Sequence, residues 1–102
     1  MGLSFNSLVK LLHQNQVKMS DLIIIDVRTK EEFRGGHVKG SMNIPLQEIA
    51  SHEEEILQMN KRIVFCCASG NRSGHATAYF LSKGVDCENG GSWFEVQAKL
   101  VS

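Results

Sequence analysis

The chain has 102 residues, 42% hydrophobic and 22% charged, which fits a single globular domain over residues 1–102 and leaves no length for a second. Eleven basic residues balance eleven acidic ones, so bulk charge points neither to nucleic acid nor to a membrane surface, although a local cradle of N–H groups can still hold a small anion. No basic and then apolar leader opens the sequence, and no run approaches the ~18 apolar residues of a membrane span, so a cytoplasmic protein with no membrane and no nucleic-acid partner is expected.

The first predicted element is a helix capped by Ser4 or Asn6, with Leu8, Leu11 and Leu12 as its apolar face and an end near the polar stretch 13–16. Leu22-Ile23-Ile24-Ile25 follows as a continuous apolar run, rich in β-branched residues, that reads as a strand covered on both faces, with Asp26 at its carboxyl end. Met42-Asn43-Ile44 before Pro45 is another short strand. Residues 46–59 carry Ile49, Ile56 and Leu57 around the acidic Glu53-Glu54-Glu55 and read as a surface helix broken once.

Arg62-Ile63-Val64-Phe65-Cys66 is a second fully apolar strand. After a polar, glycine-containing turn, Ala76, Phe80 and Leu81 mark a helix that Gly84 can terminate. A last strand over residues 85–88, a turn at Gly90-Gly91 and a helix through Trp93, Val96 and Leu100 close the pattern. Strands alternating with helices imply an α/β fold, an open, mostly parallel twisted sheet with helices on both faces. Such sheets bind ligands at the carboxyl ends of their strands, where Cys67 falls.

The segment Cys67-Ala68-Ser69-Gly70-Asn71-Arg72-Ser73 runs from a buried strand into a helix. Successive N–H groups of such a loop converge, the helix dipole adds positive charge, and Gly70 permits backbone geometry that a Cβ would oppose. A thiol with an ordinary pKa of about 8.5 is acidified in that setting, which makes Cys67 the expected nucleophile. The three cysteines, Cys66, Cys67 and Cys87, are odd in number and two are adjacent, a poor disulfide framework, so reduced thiols are expected. No paired ligand spacing suggests a metal, and neither metal nor cofactor is expected.

This loop resembles the active-site segment of rhodanese-like domains, Cys-x-x-Gly-x-Arg-Ser. Ile25-Asp26-Val27-Arg28, Glu31-Glu32-Phe33, Gly36-His37-Val38 and Gly40-Ser41-Met42-Asn43-Ile44-Pro45 are similar to the family's upstream segments in order and spacing, and Asn89-Gly90-Gly91-Ser92-Trp93 resembles its final turn. The resemblance implies a rhodanese-like fold and a thiosulfate sulfurtransferase. Cys67 would take sulfur from thiosulfate or a persulfide donor, hold it as a persulfide and pass it to cyanide or to a thiol acceptor, including a thioredoxin-like one. N–H groups of Ala68, Ser69, Gly70, Asn71 and Arg72 would bind the substrate, with the Arg72 guanidinium favouring a dianionic donor.

Two alternatives stay open. Counted from Cys66, the segment to Arg72 spans seven residues, the loop length of cysteine-dependent phosphatases and arsenate reductases, whereas counted from Cys67 it spans six and encloses about one sulfur. Rhodanese-like domains also serve as non-catalytic regulatory or docking modules, which commonly lack the cysteine. Asp26, Arg28, Glu32 and His37 are read as structural ties, Trp93 as core or pocket wall, His75 as a solvated helix residue, and Cys66 and Cys87 as buried packing.

Overall fold

At the centre of the molecule β1 (Leu22–Asp26) and β3 (Arg62–Cys67) lie side by side and parallel, in the computed structural model that describes residues 3–101. β2 (Met42–Asn43) pairs with the outer edge of β1 and β4 (Cys87–Ser92) with the outer edge of β3, giving the order β2-β1-β3-β4 with every pairing parallel. From β1 the chain therefore crosses to one side, and from β3 to the other. The strand order reverses between the carboxyl ends of β1 and β3, where open α/β sheets form their binding crevice.

Side chains alternate across a strand, and the two apolar runs obey that rule by feeding two separate cores. Ile25, Ile63, Phe65 and Cys67 face one side, where Ile49 of a 3-10 turn (Leu46–His52), Ile56 of α3 (Glu53–Leu57) and Ala76 and Phe80 of α4 (Asn71–Leu81) cover them. Ile24, Val64 and Cys66 face the other, against Phe5 and Val9 of α1 (Phe5–His13) and Val96 of α5 (Trp93–Val101). Residues 63–67 of β3 are all buried, as a strand covered on both faces requires. Helices thus cover both faces, as expected.

Three local expectations shift. The Ser4 side chain accepts from Ser7 N–H and caps α1, but the buried residues are Phe5 and Val9, with Leu8, Leu11 and Leu12 half-buried. The helix meets the sheet through its first turn, where Phe5 N–H donates to the Glu88 carboxylate at 2.9 Å, and this rotates the buried stripe. In α4, Leu81 is 55% exposed, so Ala76 and Phe80 alone of the three expected residues bury that helix; Leu57 is likewise exposed.

The third shift concerns the last strand, which begins at Cys87 and runs through Asn89-Gly90-Gly91 to Ser92. Its register slips between Phe65 and Cys66 of β3, so the two glycines form an irregularity inside the strand and not a turn after it. Gly91 has φ +88°. At Gly90 a Cβ would lie 2.6 Å from Val64 Cγ1 and 2.8 Å from Val96 Cγ2, which explains why the sequence needs glycine there.

Candidate active site

The carboxyl end of β3 delivers Cys67 to the floor of a loop that turns at Gly70 and becomes α4. Gly70 has φ +99°, a left-handed conformation that a side chain would strain. It turns its own N–H toward the sulfur: Gly70 N–H donates to Cys67 Sγ at 3.0 Å, Ser73 N–H at 3.4 Å, and Ser73 Oγ lies 3.3 Å away. The 11-residue α4 begins at Asn71, so its positive dipole end also faces this sulfur.

Burial works against charge on Cys67, which has no solvent exposure. The Ser73 hydroxyl and the N–H groups of Ser73, Ser69 and Gly70 outweigh it, and the pKa falls below the ordinary thiol value. Ala68, Asn71 and Arg72 complete the loop without a hydrogen bond to the sulfur. The contribution of Ser73, the last residue of the motif, was not foreseen.

The neighbouring cysteine is placed oppositely. Cys66 sits in the α1/α5 core, and burial pushes its thiol up to about 12. The loop donors turn toward Cys67 on the other face, so a phosphatase loop counted from Cys66 has no nucleophile. Cys87 is also buried, its thiol raised to about 11 by desolvation. All three cysteines are free thiols.

Around the loop stands a frame of polar contacts. Asp26, at the end of β1, is fully buried and binds Arg28 at both carboxylate oxygens, with Arg28 Nε at 3.0 and 3.1 Å and Nη2 at 2.8 Å. Arg28 Nη2 also donates to Gly36 O at 2.7 Å, and its guanidinium lies over the Trp93 ring. The pair ties β1 to the following segment, the structural role expected of it. His37 has Nδ1 2.7 Å from Phe33 O and stacks on the Phe33 ring, so it too belongs to the frame, while His75 is exposed on α4.

Arg72 does not point at the sulfur. Its Nη1 and Nη2 donate to Glu32 Oε1 and Oε2 at 2.7 and 3.1 Å. Glu32 belongs to α2 (Lys30–Arg34), where it also accepts from Thr29 N–H in a capping box. Through Arg72, and then through Thr29, its carboxyl is held down to about 2. A groove of about 340 Å³ lined by Val27, Thr29, Lys30, Pro45 and Leu46 opens beside Arg72.

A second unforeseen contact comes from β4. The Asn89 side chain donates from Nδ2 to Gly70 O at 2.9 Å and accepts at Oδ1 from Gly91 N–H at 3.0 Å and from Ser73 Oγ at 2.7 Å. Nothing local in the sequence signals this, because the contact joins residues brought together only by the β3–β4 pairing.

A parallel α/β chain of this kind has counterparts among known proteins. The family model of the rhodanese-like domain matches residues 4–98. The chain belongs to the rhodanese-like domain family. A thiosulfate sulfurtransferase of Shewanella oneidensis is 30% identical over 84 residues, covering 82% of this chain and 77% of that protein. An uncharacterised protein of Bacillus subtilis is 38% identical over 61 residues, and this chain spans 48% of its length. A solved rhodanese of Escherichia coli, described with bound anions, superposes with a TM-score of 0.65 at 30% identity over 72% of this chain and 89% of that one. Membership in this family, with relatives named for sulfur transfer, supports sulfur transfer in general. Among the described residues no helix is long and apolar enough to cross a membrane.

Proposed function

We propose that this rhodanese-like domain is a sulfurtransferase in which Cys67 carries sulfur as a persulfide, with thiosulfate or a persulfide as donor and cyanide or a thiol as acceptor. The observation that carries the reading is the convergence of Gly70 N–H, Ser73 N–H and Ser73 Oγ on one sulfur whose pKa is lowered. A loop of this size fits one further sulfur, and its donors suit thiolate and persulfide alike.

With thiosulfate, Cys67 thiolate attacks the outer sulfur. A new S–S bond forms as the donor's S–S bond breaks, and its electron pair leaves on sulfite. Cyanide then attacks the outer sulfur of the persulfide and departs as thiocyanate, returning Cys67 as thiolate. Charge balances in both halves and no proton moves, so no general base is needed. A cytoplasmic setting and a protein thiol acceptor of thioredoxin-like kind go with this reading, because Cys67 works only as a reduced thiolate. Cys67 is fully buried, so the donor's sulfur reaches Sγ as the loop yields.

Intact-protein mass tests the proposal. Wild type, Cys66→Ala and Cys67→Ala are incubated with excess thiosulfate or a small organic persulfide, then with cyanide. One added sulfur in wild type and Cys66→Ala, absent in Cys67→Ala and removed by cyanide, is the expected result. Folded wild type that gains no sulfur from either donor would overturn it in favour of a docking module.

A further inference from the structure

Ser73 Oγ has one hydrogen and two acceptors. It lies 3.3 Å from Cys67 Sγ and 2.7 Å from Asn89 Oδ1. The Asn89 amide cannot be turned to relieve the competition. Its Nδ2 faces Gly70 O, which can only accept, and its Oδ1 receives Gly91 N–H, which can only donate. A carbonyl oxygen and a thiolate both need the same hydroxyl hydrogen.

We propose that Asn89 is a positioning residue for sulfur transfer: its Oδ1 is the alternative acceptor of the Ser73 hydroxyl, which turns to Cys67 Sγ when that sulfur is a thiolate and back to Asn89 when it is not. The proposal rests on the reading of Cys67 as the reacting sulfur. With a neutral thiol the chain is complete, because Cys67 S–H donates to Ser73 Oγ and the Ser73 hydroxyl donates to Asn89. With a thiolate the hydrogen rotates to the sulfur, and Asn89 Oδ1 keeps Gly91 N–H. Once Sγ is bonded to a second sulfur, the charge sits on the outer atom and Sγ is a weak acceptor, so the hydrogen returns to Asn89. Ser73 is buried with no exposure, so water does not compete for its hydroxyl. No covalent bond changes in the switch.

Charged groups around Cys67 are the same in every variant needed to test this. They are Arg72 with Glu32 against it, the Asp26–Arg28 pair at the end of β1, and, from α5, Glu95, which is engaged with Ser92 N and Oγ. The Cys66 thiol stays protonated across the neutral range.

The test is a titration of Cys67 thiolate, by ultraviolet absorbance and by alkylation rate against pH, in wild type, Asn89→Ala, Ser73→Ala and the double variant. Ser73→Ala is expected to raise the apparent pKa by about one pH unit, the scale of one hydrogen bond to a charged group. Asn89→Ala is expected to lower it by a fraction of a unit where Ser73 is present and to leave it unchanged in the Ser73→Ala background. Shifts at residue 89 that are zero, or that are the same with and without Ser73, would overturn the proposal. The titration uses no sulfur donor. A Ser73-dependent shift in a protein that forms no persulfide would leave the hydrogen switch standing and remove the sulfurtransferase reading.

Discussion

The guanidinium of Arg72 is held by both carboxylate oxygens of Glu32, from a helix forty residues earlier in the chain, and so does not stand over Cys67 as a free cation. Sequence alone suggested that Arg72 attracts a dianionic donor. The ion pair offsets the attraction a free guanidinium would have for an anion, and the N–H groups that converge on the sulfur are those of Gly70 and Ser73.

Glu32→Gln keeps the shape of the cap and releases the guanidinium. Steady-state assays with thiosulfate should show kcat/KM rising roughly two- to fivefold, the range of a partly exposed ion pair, and rising less with a donor of lower charge. A fall with thiosulfate would mean that Glu32 places Arg72 and does not neutralise it. The same carboxyl makes a pH-dependent contribution to folding. Its folded pKa of about 2 lies below the ordinary 4.5, so its stabilisation is fully present above about 4.5 and is lost as pH falls toward 2. Denaturation of Glu32→Gln should therefore lose part of the wild-type pH dependence in that window.

Alkylation should separate the three thiols. With Cys67 below the ordinary thiol value, Cys66 near 12 and Cys87 near 11, iodoacetamide on native protein near neutral pH should modify Cys67 first. The rate should rise with pH and level off below the pH at which a free thiol does. Peptide mapping of the singly labelled species reads the site, and label on Cys66 would contradict the assignment of the two faces.

Arg28→Ala leaves the fully buried Asp26 carboxylate without its partner and removes the guanidinium from Trp93 and Gly36 O. Breaking a buried pair from one side costs about 3–5 kcal/mol, a large share of the stability of a domain this size. Urea denaturation should show an unfolding free energy lowered by that amount, and a change below about 1 kcal/mol would mean that water reaches Asp26.

Gly90→Ala inserts a methyl between Val64 and Val96, where a Cβ would approach both within 3 Å. Overpacking of this kind costs about 1–3 kcal/mol. Because Gly90 lies beside Asn89 and Gly91 in the strand, the same variant should slow Cys67 alkylation, a readout that a remote core defect would not move.

The sequence by itself marked the two central strands, the two-sided core and the candidate nucleophile Cys67, because each is written in local pattern. Runs such as Ile63-Val64-Phe65 bury both faces wherever they are placed, and a cysteine at the end of such a run, three residues before a glycine and six before a serine, sits at a helix N-terminus by chain geometry alone. The family resemblance rested on the same local segments, and it held. Tertiary structure decided what reaches that cysteine from elsewhere. Asn89 meets Gly70 across 19 residues of chain and Glu32 meets Arg72 across 40, and no local period encodes such meetings. They follow from strand order and from the register of β4, set by two glycines that the sequence reads as a turn and the packing of Val64 and Val96 holds in the sheet. The buried stripe of α1 was illegible for the same reason: a helix with apolar residues on more than one side is turned by the surface it meets, and that surface is assembled from strands distant in the chain.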